Sequence, residues 1–437
     1  MCGIVADLRG PIPEAARRII DRRGTRSSQV GPIYHRRLPI VGLDASNDQP
    51  MRRGNWIVAF VGEVLDFRER DRGYECDAEL VADLWNDIGP HALADRDGFW
   101  HVVAYDGSSH LLHLMCDYLA QKPLYYRTDF GACASEPVAC ARLDHADPDE
   151  VYLSAVMKWG YCPEAWRTPF KQVRRVLPGQ HVVLNERGQM HQDIVDPLVP
   201  LYIPPSEIKV EIEAAVRRRV ESSDVPVACL LSGGLDSSIV YTLARRYGRV
   251  HPYYVAGDED DLFEESMVRL VAQDPVDKVR WTDVEVTDAL GIMQEPIDLG
   301  SLVPQCALSG VVSEAVCLTG DGADELFGGY SRAQDYDSQH SDIFHELVCW
   351  HLPRLDRVMM NNLTEVRSPF LARRVVQAAL GLPRELRINK SILRDLFMED
   401  LPAEVLYQKK KPLRTDASRR NPVDLVNKFR NMYWGML

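Results

Sequence analysis

Hydrophobic and polar positions change rhythm about midway along the chain. Before residue 195, apolar residues gather in short runs broken by turns. Pro39–Leu43, Trp56–Val61, Trp100–Tyr105, His110–Met115, Leu124–Arg127 and His181–Asn185 each read as a strand. Helical spacing is rarer. Pro13–Asp21 has it, and so does Asp77–Gly89, with apolar residues at Leu80, Val81, Leu84 and Ile88. The pattern predicts an α+β half with a large strand content. Asp196–Ser206 (DPLVPLYIPPS) is proline-rich and reads as a linker. Beyond it a helical stretch, Glu207–Glu221, leads into the apolar run Val227–Leu231 and a Gly-rich turn. A helix follows from Ser237 to Tyr247, then a strand at Val250–Ala256. A further strand, Ala315–Leu318, precedes a second turn rich in Gly and Asp. Strand–helix–strand alternation predicts an α/β half with a parallel sheet and a site at its strands' C-terminal ends.

Length and composition narrow the picture. A chain of 437 residues corresponds to about three domains at ordinary domain size. The change of pattern argues for two, 1–195 and 207–437, joined by 196–206. Hydrophobic residues at 46% and charged residues at 26% exclude a disordered, collagenous or disulfide-stapled chain. With 51 Lys+Arg against 64 Asp+Glu the net charge is −13, which argues against nucleic acid or an anionic membrane as partner. No apolar run is long enough to span a bilayer, and MCGIVADLRG is not a secretory leader. Ten cysteines without a CxxC pair predict reduced thiols in a cytoplasmic protein and no zinc cluster.

Three stretches carry chemistry. Ser232-Gly233-Gly234-Leu235-Asp236-Ser237-Ser238 follows a strand and opens a helix. Paired glycines let backbone N–H groups close around phosphate oxygens, and hydroxyls and a helix N-terminus add donors. Bare phosphate would repel Asp236, so this acid reads as a magnesium ligand. SGG alone is an ordinary capped turn; the strand–helix context gives the whole run its meaning. Thr319-Gly320-Asp321-Gly322-Ala323-Asp324-Glu325 places three acids among glycines, costly unless a cation or a proton uses them. Downstream lie Glu365–Leu371 (EVRSPFL) and Lys390, a residue type usually found on a surface. Finally, Cys2 would become the first residue once Met1 is removed. Its α-amine, with a pKa of about 7.7–8.0, could then serve as base to its thiol.

Taken in order, these motifs resemble the glutamine-dependent asparagine synthetase family over nearly the whole chain. The matching pieces are MCGI, Arg37-Leu38-Pro39-Ile40-Val41, Gly62-Glu63, Asp77, Asp117 with Pro123-Leu124-Tyr125-Tyr126, Ala134-Ser135-Glu136, Leu177-Pro178-Gly179, SGGLDSS, Glu295-Pro296-Ile297, GDGADELFGGY and EVRSPFL. The resemblance implies a class II glutaminase with the N-terminal-nucleophile sandwich fold. A parallel-sheet ATP-pyrophosphatase domain of the adenine-nucleotide α-hydrolase type follows. It implies that Cys2 attacks the glutamine amide, with Arg37, Val41, Gly62, Glu63 and Asp77 binding glutamine. It implies that Leu230, Ser232, Gly233, Gly234, Asp236, Ser237, Ser238, Val255 and Gly320 contact ATP, and that Asp236 and Asp324 hold Mg2+. Asp321 would handle the proton of the incoming amine, and Lys390 would stabilise charge during adenylation. The implied partners are glutamine and a small carboxylate acceptor, aspartate by default, with a homodimer as the assembly.

The match departs in places. Val61 stands where the family has an oxyanion-hole Asn, Cys116 precedes Asp117 in place of Arg, Ala120 replaces a Gly, and Thr25-Arg26 replaces Pro-Asp. Losing one oxyanion donor costs about 10²–10³ in kcat, which predicts a weakened or partner-dependent glutaminase. The connections between Ala256 and Trp281 and between Tyr330 and Leu352 are short, and they leave the acceptor open. Three other readings remain. One is a β-lactam synthetase-like or lasso-peptide cyclase-like ligase using another amine, which Val61 favours and Cys2 opposes. Another is a tRNA- or nucleobase-modifying ATP pyrophosphatase, which the acidic charge and the absent CxxC oppose. The last is a non-catalytic regulatory subunit, which the intact phosphate cradle opposes.

Overall fold

The computed structural model describes residues 2–256, 262–272, 275–280, 286–297, 299–330, 344–408 and 421–435. The first half is built on two six-stranded sheets. One runs Val173–Arg175, Tyr125–Arg127, Ala132–Ala134, Gly3–Asp7, Ile33–Arg37, Arg26–Val30. The other runs Gly188–Ile194, Gln180–Asn185, Leu111–Cys116, Gly98–Asp106, Trp56–Val64, Met51–Arg53. Alternation along Gly3–Asp7 shows how they stack. Ile4 and Ala6 share a core with Val58 and Phe60 of the second sheet, whereas Val5 packs outward with Ile20 and Val138. Helices Glu14–Asp21 and Pro137–Ala141 cover that outer face, and Asp77–Ile88 covers the second sheet. The result is the expected α+β sandwich, helix on sheet on sheet on helix.

One expected strand is absent. Pro39–Leu43 runs as bends. Pro39 has no N–H for a ladder, and the Arg37 guanidinium takes the carbonyls of Val41 (3.0 Å), Gly42 and Asp44 (2.8 Å), which a neighbouring strand would need. The helix expected from Glu207 begins earlier, at Pro205, because proline at the first helical position forfeits no hydrogen bond.

The second half carries a five-stranded parallel sheet in the order Asp277–Arg280, Val250–Ala256, Val227–Leu230, Val316–Leu318, Glu365–Arg367. The chain builds outward from Val227–Leu230 in one direction, then returns and builds in the other. The switch point therefore falls between Val227–Leu230 and Val316–Leu318, where open α/β sheets form their ligand crevice. Both glycine-rich turns leave the C-terminal ends of these two strands. Of the two short connections noted above, residues 257–261, 273–274, 281 and 331–343 lie outside the described residues. Among the described residues, no helix is long and apolar enough to cross a membrane.

Candidate active sites

The first cluster forms at the open end of the sandwich. Cys2 is buried immediately before Gly3–Asp7, and its thiol accepts the Leu38 N–H. Burial raises the thiol pKa, while the Leu38 N–H and the Arg37 charge act the other way. Arg37, at the end of the adjacent strand, also bonds Asp48 at 2.9 Å. Gly62 and Glu63 sit near the end of Trp56–Val64. At Gly62 φ is +117°, and a Cβ there would overlap the Phe99 carbonyl of the paired strand, so only glycine fits. Asp77 opens its helix and accepts the Val64 N–H at 3.0 Å.

Glu63 and Asp77 are hydrogen-bonded carboxyls, both held above the usual carboxylate range. For Glu63 the cause is burial, then the charges of Asp77 and Glu365; for Asp77 it is burial, then Glu365. Two buried carboxyls this close repel when both are ionised, which favours one shared proton. Val61 is fully buried and offers no donor. Restoring the amide with Val61→Asn is expected to raise glutamate release by about tenfold to 10²-fold, read by coupled glutamate assay. Asp117 accepts N–H groups from Trp100, Leu119 and Gln121, yet burial lifts its pKa to about 6. Ala120 adopts φ +51°, a left-handed backbone that glycine enters without strain and alanine does not.

Besides Glu365, Arg367 of the second half enters this cluster, and its sequence context gave it no role. Arg367 Nη2 lies 3.6 Å from Glu63, while Nε bonds Glu365 at 2.8 Å and Nη1 bonds the Arg219 carbonyl and Ser222 Oγ, each at 2.8 Å. Its only sequence signal is a period-two pair of charges, Glu365 and Arg367, inside a buried strand. Further buried pairs join the halves: Arg23 with Asp356 (2.7 Å) and Arg175 with Glu295 (3.0 Å).

The second cluster occupies the switch point. Ser232 and Ser237 hydroxyls lie 3.0 Å apart, and Ser237 Oγ donates to the Gly234 carbonyl at 3.2 Å. Gly233 takes φ +73°, and Ser238 is buried in the first helical turn. At Gly320 a Cβ would come within 2.9 Å of both Asp236 Cβ and the Ser237 nitrogen, so glycine lets the two turns touch. Leu230 and Val255 lie at or next to the C-terminal ends of the neighbouring strands. Asp321, half-buried, sits between Gly320 and Gly322.

Lys390 completes the cluster from far along the chain. Its ammonium bonds Asp236 and also Asp324, the latter at 2.6 Å. Burial alone would lower its pKa; the two carboxylates outweigh burial and hold it up. Backbone bonds from Lys390 to Phe327 (2.9 Å) and from Asn389 to Gly328 (3.0 Å) pin it to the glycine turn. One acid from each turn thus converges on a single cation. Two carboxylates completed by phosphate oxygens are a donor set that suits magnesium. Among the described residues, no group of three or more His, Cys, Asp or Glu is placed to hold a metal by itself.

Glu325, bonded by the Tyr330 hydroxyl at 2.7 Å, has its pKa raised to about 7 by burial and then by Asp324. The fold favours its protonated form. Its stability contribution is therefore complete below the unfolded value and is lost as pH rises through about 7. Stability is expected to fall by about 1 kcal/mol between about pH 6 and pH 8 from this group. Thermal melts of Glu325→Gln should lose that part of the slope.

Comparison with known proteins matches both halves of the chain. Residues 1–194 match the family described as glutamine amidotransferase domain, and residues 207–348 and 337–427 match that described as asparagine synthase. Asparagine synthetase B (glutamine-hydrolysing) of Escherichia coli is 23% identical, over 89% of this chain and 75% of its own. The asparagine synthetase of Sandersonia aurantiaca is 25% identical, over 94% and 86%. A putative asparagine synthetase of Methanocaldococcus jannaschii is 26% identical, over 82% and 70%. The chain belongs to the glutamine-hydrolysing asparagine synthetase family and is a carbon–nitrogen ligase of that kind.

Proposed function

We propose that this chain forms an amide on a small carboxylate, aspartate by default, with ammonia drawn from glutamine at a reduced rate. The observation that carries this reading is Lys390, bonded to one acid from each turn at the switch point. Residues 1–195 would produce ammonia and residues 207–437 would consume it, joined by 196–206.

Glutamine carries one cation and one anion. Its α-ammonium would enter between Glu63 and Asp77, displacing their shared proton, and Arg37 would take its α-carboxylate. Val41 and Gly62 would form the walls. Cys2, made N-terminal by loss of Met1, would pass its thiol proton to its own amine and attack the side-chain amide, expelling ammonia. With Val61 in place, the Gly62 N–H would stabilise the oxyanion without an amide partner.

In the second half, the Ser232–Ser238 turn would take the ATP phosphates on its N–H groups and hydroxyls. Leu230, Val255 and Gly320 would line the nucleoside. Asp236 and Asp324 would hold Mg2+, whose chemistry is to neutralise phosphate charge. The acceptor carboxylate would attack the α-phosphorus, forming an acyl-adenylate and releasing pyrophosphate. Lys390 would stabilise the negative charge that accumulates in that step. Ammonia would then displace AMP, and Asp321 would accept the proton it sheds.

Val61 favours one other reading, a ligase whose amine is not ammonia. Both are tested by pyrophosphate release from ATP, screened over carboxylates with ammonium chloride as donor. Aspartate-dependent release with asparagine formed is the expected result. Release confined to another acid would replace aspartate as acceptor, release without ammonium would favour the other amine, and no release with any acid would overturn the proposal.

A further inference from the structure

Two adjacent glycines allow the Ser232–Ser238 turn and leave one of its peptide groups free to face either way. Gly233 takes φ +73°, and the peptide it shares with Gly234 has no side chain on either flank. Such a peptide can rotate as a plate at little cost. Within the plate, the Gly233 carbonyl and the Gly234 N–H point in opposite directions. One orientation offers an N–H to a phosphate. The other offers a carbonyl oxygen, which repels it.

A residue far along the chain makes the choice. Gln408 is the C-cap of helix Ala403–Tyr407, which packs against Leu235–Ala244 and Leu262–Val271. Its Nε2 donates to the Gly233 carbonyl and reaches the Val405 carbonyl at 3.4 Å. Both partners are carbonyls, which only accept, so the network puts the amide nitrogen on this side.

With the Gly233 carbonyl held by Gln408, the Gly234 N–H points the other way. There it meets Ser232 Oγ at 3.4 Å, and Ser232 Oγ lies 3.0 Å from Ser237 Oγ. That is the side on which the hydroxyls of the turn gather. A bond of 3.4 Å is weak and is readily exchanged for one to a charged oxygen. The back of the turn is closed. A Cβ on Gly233 would come within 2.8 Å of Met267 Cβ and 2.9 Å of the Val268 nitrogen.

We propose that Gln408 is a positioning residue for ATP: it holds the Gly233 carbonyl away from the phosphates and so aims the Gly234 N–H at them. This rests on the reading of Ser232–Ser238 as the phosphate cradle.

The test is calorimetric titration of the full chain with ATP and Mg2+, alongside pyrophosphate release with ammonium and the acceptor. Gln408→Met keeps the length of the side chain and removes its donor. Its Kd and KM for ATP are expected to rise by about tenfold or more, the loss of one charge-assisted hydrogen bond. kcat at saturating ATP should fall far less, because the bond is made to bound ATP and to the transition state alike. Melting temperature and glutamate release should be unchanged. Ser232→Ala, which removes a hydroxyl of the cradle itself, should also weaken ATP binding. Weaker binding in Ser232→Ala but not in Gln408→Met would overturn the inference and leave the cradle standing. No weakening in either variant would overturn the reading of the cradle as well. A lower melting temperature and slower glutamate release in Gln408→Met would make Gln408 a support of the fold and likewise overturn the inference.

Discussion

Cys2→Ala is expected to abolish glutamate release and glutamine-dependent pyrophosphate release, while ammonium-dependent pyrophosphate release persists. The reason is local. Cys2 lies against Leu38 in a pocket where Arg37 and Glu63 both act on its thiol. Alanine keeps the small buried volume, so the sandwich should stay folded. Glutamate and pyrophosphate assays on the same preparation read both arms. Equal loss with ammonium would mean that Cys2 supports the fold rather than a reaction. Intact mass of the purified chain adds an independent readout, since the proposed base exists only after Met1 is removed.

Lys390→Ala is expected to do the reverse, lowering pyrophosphate release by about 10²–10³ in kcat with either donor while glutamate release continues. Two effects add. A positive charge is lost where phosphate charge develops, and Asp236 and Asp324 are left facing each other without their shared ammonium. Lys390→Arg separates them. It keeps a charge between the acids but cannot reproduce a single nitrogen bonded to both, so partial recovery of magnesium-dependent ATP binding without recovery of kcat is expected.

Much of this architecture was legible because local rules governed it. The Trp56–Val64 and Gly98–Asp106 strands announce themselves through β-branched and aromatic runs, and SGGLDSS through its place between a strand and a helix. Pro39–Leu43 misled because its apolar residues are buried by wrapping Arg37, not by pairing with a strand. Gly3–Asp7 escaped notice as a strand because both its faces are buried, so apolar and polar residues do not alternate along it even though its side chains alternate between the faces. Arg367 was invisible as a contributor to the Glu63 pocket because that contact joins residues about three hundred positions apart, which no local pattern encodes. The proximity of Lys390 to Asp236 and Asp324 likewise depends on a left-handed backbone at Asn389 and Lys390, where neither residue type demands one.

Arg367 also gives the two centres a physical connection. Its side chain reaches Glu63, and its carbonyl accepts the Thr319 N–H at 3.1 Å, at the head of the acidic turn. A change of charge at Glu63 would be felt by that guanidinium, one hydrogen bond from Thr319.

The central claim is that one chain uses the nitrogen of glutamine to complete an ATP-driven amide bond. Its most direct test measures glutamate and pyrophosphate together in the purified full chain, with glutamine as sole nitrogen donor and the acceptor added or withheld. The account predicts that amide product and glutamate form in equal amounts in the presence of acceptor, and that pyrophosphate release requires the acceptor. Amide formed without glutamate, or pyrophosphate released at the same rate without acceptor, would contradict it.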